Sequence, residues 1–348
     1  MHMADALMAP AVAGTMYVCS GAAMCYSVKK VRELEQPEKI PVMGVMGAFV
    51  FAAQMINFTV PGTGSSGHLC GGMLLSSVLG PEAGFLTMIG VLLIQCLLFA
   101  DGGLLALGAN IWNMAFYGCF VGGLVIWNIM MRKGMSRRKI FAASMAGCVL
   151  TLQLGALSVT LETLASGITQ LPFGLFLAAM QPIHLAIGLV EGLITAAVLV
   201  FLYEVRPSLL WGYRGGNVCR LAAGDTEASG ATGRKDRLGL KQTIMILAAS
   251  ALVTGGLFSL AASAYPDGLE WSMERVAGTS ELAASGGAYE AASGLQEATA
   301  LLPDYGFQGG ESAVGTSFSG ILGGIVVVAL CVGCCYALRL FKRKRKHE

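Results

Sequence analysis

The chain has 348 residues, of which 55% are hydrophobic and 13% charged, with a mean hydropathy of +0.67 and a formal net charge of +2. These figures exclude an ordinary soluble domain, in which about 25% of the residues are charged. The apolar residues fall into blocks of roughly 20, the length that crosses a hydrocarbon core as a helix. The sequence therefore predicts an all-α polytopic membrane protein.

Nine apolar segments are predicted to cross the membrane. The stretch before the first one has no basic n-region, which argues against a cleavable signal peptide, and the bulky His2 disfavours removal of Met1. The third segment is short and can cross only if other helices shield it. The segments cover approximately residues 11–28, 40–60, 69–79, 83–100, 104–131, 140–161, 182–203, 243–264 and 320–338.

The composition divides the chain into three parts. Residues 1–205 hold seven of the segments, and residues 206–241 are polar, Gly-rich and basic, which is typical of a linker. Residues 242–348 hold the last two segments, separated by an acidic stretch at 265–319 that is rich in Ala, Gly and Ser. The part of this stretch after Gly278 is interpreted as a solvated spacer.

The basic residues predict the orientation. Every Lys and Arg except Arg275 falls in residues 29–39, 132–139 and 206–241 or in the carboxyl-terminal tail. Basic loops stay cytoplasmic, so the linker and the tail are predicted to lie inside. With nine crossings the amino terminus, the loop around His68 and the 265–319 stretch then lie outside.

The first two residues form a potential chelate with a metal ion. Met1-His2 offers the terminal amine, the amide nitrogen of His2 and an imidazole nitrogen, which together close two small rings. A fourth nitrogen from His68 would complete a square, the geometry expected for Ni(II) or Cu(II). The alternative is that residues 1 and 2 are an ordinary, poorly ordered terminus.

Several polar residues fall in or next to apolar segments, where they are costly and are functional candidates. His184 and Glu191 lie two helical turns apart on one face, as a polar track below the site or as a structural buried pair. Asn110 and Asn113 are interpreted as holding the His68 loop, as hydrogen-bonding an imidazole, or as joining helices. Asp101 is interpreted as a helix cap.

Motifs typical of enzymes are absent from the sequence. It contains no Walker Lys-Ser/Thr loop, no paired catalytic carboxylates and no nucleophile elbow. The Cys-x-x-Cys motif at Cys331 and Cys334 lies in the last apolar segment and is interpreted as packing. The chain is therefore predicted not to be an enzyme, and any energy for transport must come from elsewhere.

Four stretches of sequence resemble a known family. They are Met1-His2, Ile56-Asn-Phe-Thr-Val-Pro-Gly with Ser66-Gly-His68-Leu, Asp101-Gly-Gly-Leu-Leu-Ala-Leu-Gly-Ala-Asn110-Ile-Trp-Asn-Met114, and His184-Leu-Ala-Ile-Gly-Leu-Val-Glu-Gly192. In this order, over about residues 1–205, they resemble the CbiM/NikM family, the substrate-capture membrane components of cobalt and nickel energy-coupling-factor (ECF) transporters. Further along, Tyr265-Pro266-Asp267-Gly268-Leu269-Glu270 is similar to the extracytoplasmic motif of the small two-span nickel companion subunit, NikN. The chain thus resembles a fusion of the two.

The resemblance implies a ligand set and partners. In that family the metal is held by the amino-terminal amine and amide nitrogens, the His at position 2 and the loop His, which correspond here to Met1, His2 and His68. It also implies a coupling transmembrane (T) subunit and a pair of cytoplasmic ATPase subunits as separate chains in a prokaryotic inner membrane. It implies no cofactor besides the transported Ni2+ or Co2+ and no nucleic-acid partner.

Together these features predict that the chain captures Ni(II), or Co(II), outside the cell and delivers it inward as part of an ATP-driven ECF transporter. Nickel is favoured because four nitrogens in a square suit it better than the octahedral preference of Co(II). Copper would bind such a square more tightly, so metal availability must contribute to selectivity. One alternative is a gradient-driven secondary transporter or channel with His184 and Glu191 as a proton relay. Another is a membrane metal sensor that signals through residues 206–241.

Overall fold

The computed structural model describes residues 1–34, 39–169, 171–213, 234–280, 282–307 and 313–345. Within these ranges the protein is a bundle of α-helices with one short β-hairpin. Its regular elements, in chain order, are α1 (Pro10–Leu34), α2 (Lys39–Gln54), β1 (Phe58–Val60), β2 (Ser65–Gly67), α3 (Gly72–Leu79), α4 (Pro81–Phe99), α5 (Leu107–Asn110), a π-helical stretch (Ile111–Trp127), α6 (Asn128–Met131), α7 (Arg137–Ser166), α8 (Phe173–Val205), α9 (Leu240–Gly256), α10 (Gly268–Ala277), α11 (Gly287–Thr299) and α12 (Ala313–Arg345).

Six helices within the described residues are long and apolar enough to cross a membrane. In one of them, α5, the π-helical stretch and α6 form a single rod, Leu107–Met131. Two shorter apolar helices, α2 and α9, accompany them. The prediction of a helical, multi-pass membrane protein is confirmed. The six are Pro10–Glu33, Pro81–Phe99, Leu107–Met131, Arg137–Ser166, Phe173–Val205 and Val314–Cys334.

The prediction of one helical segment over residues 40–60 is wrong at its carboxyl-terminal end. Helix α2 ends at Gln54, and β1 pairs antiparallel with β2, so that Phe58 lies opposite Gly67. An apolar run as short as this one is ambiguous between helix and strand. The turn decides for the strand, because Gly62 and Gly64 adopt left-handed φ angles of 78° and 73° that favour glycine.

The predicted segment 182–203 begins too late. Helix α8 starts at Phe173 and continues through Pro182. A proline inside a membrane helix is tolerated where neighbouring groups bind the freed backbone. Gln153 of α7 donates to the carbonyl of Gln181 at 2.9 Å, and Gln181 donates back to the carbonyl of Gln153 at 3.2 Å. These reciprocal bonds join α7 to α8 beside the proline.

Helix α3 is short and shielded, as the sequence requires for residues 69–79. All of its residues are buried, and at eight residues it is about 12 Å long. Its carboxyl end accepts a hydrogen bond from Lys39 Nζ to the Leu79 carbonyl at 3.0 Å and one from the Trp211 amide to the Ser77 carbonyl at 2.8 Å. The chain therefore runs from His68 to the end of the bundle that holds the start of α2.

The stretch after Gly278 is not simply a solvated spacer. Helix α11 packs against the end of α4, where Gln296 Nε2 donates to the carbonyls of Cys96 at 3.0 Å and Gly102 at 2.8 Å. The ring of Tyr305 stacks on Phe99 with centroids 4.8 Å apart. Residues 308–312, also in this stretch, lie outside the described residues.

The predicted linker, residues 206–241, is described only at its two ends, because residues 214–233 lie outside the described residues. The second end contacts the end of α8, where Glu204 pairs with Arg234 as well as with Arg137 of α7. The two ends also contact each other, since Arg206 Nη2 lies 3.6 Å from Asp236 Oδ2.

A close glycine contact joins α3 to the π-helical stretch and provides a test of the packing. A Cβ on Gly72 would lie 2.7 Å from the Cα of Gly118 and 3.0 Å from the carbonyl oxygen of Met114. Gly72→Ala is therefore expected to lower the free energy of unfolding by about 1–3 kcal/mol, the usual cost of overpacking. The measurement is reversible unfolding in detergent. Gly14→Ala on α1 is the matched control, since a Cβ there meets nothing within 4 Å, and equal losses in both variants would contradict the packing.

Candidate metal centre

The amino terminus is part of the protein core. Met1 is 5% exposed, and Met3, Leu7 and Met8 are 0% exposed. They pack in one hydrophobic cluster with residues of α7, α8 and α10, among them Leu152. The alternative of a poorly ordered terminus does not describe this chain.

Hydrogen bonds hold this segment in place. Asn110 accepts from the Met3 amide at 2.8 Å and donates to the Met3 carbonyl at 3.1 Å, as a neighbouring strand would. The amide of Gly103 also donates to the Met3 carbonyl, at 2.9 Å, and the Ala106 amide donates to Asp5 Oδ1 at 2.9 Å. Asn110 thus holds the amino-terminal segment rather than the loop around His68.

The terminal amine of Met1 lies between two side chains from distant parts of the sequence. Its nitrogen is 3.0 Å from His68 Nε2 and 2.9 Å from Asp267 Oδ2. His68 lies just beyond β2, and Asp267 immediately precedes α10. The amine therefore joins the first residue, the hairpin and the carboxyl-terminal part of the chain.

His68 is oriented by its own backbone. Its Nδ1 lies 3.1 Å from the carbonyl oxygen of Leu69, so Nδ1 carries the proton and Nε2 presents a lone pair toward the amine. Burial, and the positive charges of the amine and His2, lower the pKa of His68 to about 3. A neutral imidazole is the form that binds a metal.

His2 stacks on His68 with ring centroids 5.1 Å apart and an angle of 19° between the planes. Its Nδ1 lies 3.1 Å from Asp101 Oδ1, and its Nε2 lies 3.3 Å from Gln95 Oε1. Burial lowers the pKa of His2, against the opposing effect of Asp101. The interpretation of Asp101 as a helix cap is wrong, since its carboxylate binds His2 and the Tyr305 hydroxyl.

Asp267 has two roles in the structure. Its Oδ1 accepts the amides of Leu269 at 2.7 Å and Glu270 at 2.9 Å and so caps α10, while Oδ2 binds the amine. Burial raises the pKa of Asp267, but the amine and His68 more than offset this and hold the pKa well below its usual range. The sequence singled out Pro266, Asp267, Gly268, Leu269 and Glu270 as a motif but gave no sign that it lies beside Met1.

Backbone contacts dock this motif on the hairpin. The Ser66 amide donates to the Pro266 carbonyl at 2.8 Å, and the Ser66 hydroxyl donates to the Tyr265 carbonyl at 2.7 Å. The indole of Trp271 donates to the Thr63 carbonyl at 3.0 Å. The motif therefore packs against β2 and the turn of the hairpin.

The remaining polar candidates lie around this group. Glu191 accepts the amides of Cys70 and Gly71, each at 2.9 Å, and so holds the chain where α3 begins. His184 Nδ1 lies 2.8 Å from the Met180 carbonyl oxygen. Asn113 donates to Glu162 Oε2 at 2.8 Å, and Glu162 was missed because it lies one residue past the predicted segment 140–161.

The described residues contain no cluster of three or more His, Cys, Asp or Glu side chains arranged to hold a metal ion. What they contain instead is an amine, a backbone amide and two imidazoles close together. Nitrogen donors of this kind suit Ni(II), Cu(II) and related ions.

Comparison with known proteins agrees with this architecture, that of a multi-pass metal-transport protein. Residues 2–209 match the family described as CbiM, cobalt uptake substrate-specific transmembrane region, and residues 241–340 match the PDGLE domain. The chain belongs to the CbiM family, and the resemblance predicted from its motifs is confirmed.

Similar proteins cover most of the chain. A putative fused nickel transport protein, NikMN, of Archaeoglobus fulgidus is 34% identical over 95% of this chain and 96% of its own length. The cobalt transport protein CbiM of Geobacter sulfurreducens is 29% identical over 80% of this chain and 78% of its own length. The crystal structure of a truncated transition metal transporter, 30% identical, superimposes with a TM-score of 0.52 over 59% of this chain and 99% of that one.

Asn110 provides a test of how the amino terminus is held. Asn110→Ala removes both hydrogen bonds to Met3 and leaves the buried Met3 amide unpaired, while the Met3 carbonyl keeps its bond from Gly103. The expected cost is about 1–3 kcal/mol. Hydrogen exchange of the Met3 amide is expected to become faster, as is digestion by an aminopeptidase. Asn128→Ala is the control, because Asn128 is exposed on α6. Unchanged exchange at Met3 would show that Asn110 does not hold the segment.

Proposed function

We propose that this chain captures a divalent metal ion, Ni(II) or else Co(II), on the extracytoplasmic face and delivers it inward as the substrate-specific component of an ATP-driven ECF transporter. One observation carries the proposal: the buried amine of Met1 lies 3.0 Å from His68 Nε2, with the ring of His2 stacked on His68. A terminus is rarely ordered, and here it is buried beside two imidazoles.

The proposed ligands are the Met1 amine, the amide nitrogen and one ring nitrogen of His2, and His68 Nε2. His68 needs no rearrangement, since its Nδ1–H is already bound to a carbonyl, the usual way a metal-binding imidazole is oriented. His2 has to exchange a contact with Asp101 or Gln95 for the metal. Asn110 and Asn113 act from outside this set, Asn110 through the Met3 backbone.

The proposal favours nickel over cobalt. Four nitrogens in a square suit Ni(II), and Cu(II) would have to be excluded by its availability rather than by affinity. The similar protein of Archaeoglobus fulgidus, which matches 95% of this chain, is named as a putative fused nickel transport protein. Relatives named for cobalt are also similar, so the choice calls for direct measurement.

The proposed topology has nine crossings with the amino terminus outside. The distribution of Lys and Arg supports it. So does the course of residues 69–79, from the Met1 site to the opposite end of the bundle, where Lys39 and Trp211 lie. We divide the chain into a capture domain (1–205), a cytoplasmic linker (206–241) and a companion domain (242–348).

Energy is proposed to come from a T subunit and a cytoplasmic ATPase pair, because the sequence has no ATP-binding motif of its own. Co-purification of the chain with an ATPase pair tests this directly. Metal uptake that persists when ATP is depleted and stops when the ion gradient is collapsed would favour a secondary transporter instead.

The amino-terminal ligands are tested by adding two Ala residues before Met1. A single added residue would place His third from the new amine and create another four-nitrogen chelate, whereas two added residues move the amine out of reach. The affinity for Ni(II) is then expected to fall about a hundredfold or more, as when a metal-site group is lost. His68→Ala is expected to have an effect of similar size. The measurement is a competition titration of the purified chain against a chelator of known affinity.

A chain with the same two Ala residues added after Glu348 is the matched control and should bind Ni(II) like the original chain. Absorption of the bound ion reports the geometry, since a square of nitrogens around Ni(II) gives a characteristic visible band. Undiminished affinity in the chain extended before Met1 would overturn the proposed ligand set.

A further inference from the structure

Two histidines face one small cavity, although only His68 belongs to the proposed ligand set. His68 enters from the hairpin side and His184 from α8. The cavity is also lined by Asp267, whose Oδ2 binds the Met1 amine. Its lining includes Met1, Gly67, His68, His184, Ile187 and Gly268.

His184 is prepared in the same way as His68. Its Nδ1 lies 2.8 Å from the carbonyl oxygen of Met180, one helical turn earlier, so Nδ1 carries the proton and Nε2 carries a lone pair. The residue is 1% exposed, and Nε2 has no hydrogen-bond partner among the described residues. A buried polar atom without a partner is rare and costs stability, so it calls for an explanation.

His184 Nε2 lies close to the motif at residues 266–270. A Cβ on Gly268 would lie 3.4 Å from His184 Nε2, 3.2 Å from its Cε1 and 2.9 Å from Ile187 Cδ1. His184 therefore lies against the residue that follows Asp267, whose Oδ2 binds the amine. Of the other polar side chains that line the cavity, Cys70 donates its Sγ–H to the Met114 carbonyl at 3.5 Å, and Asp267 Oδ2 binds the amine.

We propose that His184 Nε2 is a second, inner ligand for the divalent metal, which it receives from the capture site on the way inward. This rests on the proposed function of the Met1, His2 and His68 site. In the transfer a metal–Nε2 bond forms as the bonds to the chelate break, and the metal stays divalent. The His2 amide nitrogen and the amine each take a proton from water, which leaves hydroxide.

The test separates capture from uptake in the full-length chain. His184→Ala should leave Ni(II) affinity, measured by chelator competition, unchanged within about threefold, a difference below 1 kcal/mol. Uptake of radioactive nickel by cells of a host in which the unaltered chain supports uptake should fall about tenfold or more, the scale on which metal-site residues act. His68→Ala should lose both affinity and uptake.

A conservative variant distinguishes a ligand from a packing residue. His184→Cys supplies a different metal-binding atom and should restore a substantial part of the uptake that His184→Ala loses. With Co(II) it should also show a thiolate-to-metal charge-transfer band that is absent from the unaltered chain, in which Cys70 is the control. Thr195→Val, at a buried position farther along α8, controls for disturbance of the helix, and the thermal midpoint of each variant reports folding.

The inner-ligand proposal fails if His184→Ala retains nickel uptake within about twofold. It also fails if His184→Cys performs no better than His184→Ala and shows no charge-transfer band, the result expected if Nε2 binds only a water molecule. Loss of capture in His184→Ala would make His184 part of the first site and would likewise overturn it. If His68→Ala captures Ni(II) normally, the proposed function fails instead, so the two failures are distinguishable.

Discussion

The structure depends on a buried amino-terminal charge. A buried ammonium group is costly unless it is paired and hydrogen-bonded, and Met1 meets this condition with Asp267 on one side and His68 on the other. Because the three residues come from the start of the chain, the hairpin and the carboxyl-terminal part, one group fixes their relative positions. The burial of Met3, Leu7 and Met8 follows from it, since the residues after the amine must pass through the helix bundle.

This arrangement makes the two family segments one physical unit at the site. The PDGLE-type part contributes three groups to the site. They are the Asp267 carboxylate that binds the amine, the Pro266 carbonyl that accepts the Ser66 amide, and Gly268, which lies against His184. Because the PDGLE-type part is covalently linked to the CbiM-type part, its effective concentration at the site is high. Polar contacts that are individually weak therefore suffice to dock it. The docked segment also lines the cavity, where a Cβ on Gly268 would lie 2.9 Å from Ile187 Cδ1.

The sequence was enough for the helices but not for the contacts between them. Long apolar blocks predict membrane helices because nothing else satisfies a backbone in lipid. Hydropathy predicts that the apolar run around Phe58 continues the helix. It forms a strand instead, because the glycine turn that follows it allows a hairpin. The position of Asp101 at a turn predicts a local role as a helix cap, whereas its actual partners, His2 and Tyr305, are distant in the sequence. That Asp267 binds an amine 266 residues away has no periodic or local signal at all.

In the proposed function one histidine holds the ion and a second receives it. Each imidazole has its Nδ1–H bound to a backbone carbonyl, of Leu69 for His68 and of Met180 for His184. The Nε2 lone pair of His68 therefore faces the Met1 amine, and that of His184 has no hydrogen-bond partner among the described residues. His68 follows β2, which is hydrogen-bonded to residues 265 and 266, whereas His184 is on the long helix α8. A displacement of the loop relative to α8 would lengthen the bonds to one imidazole while the other stays in place. Release inward then requires only that the loop move, because the receiving nitrogen is already oriented.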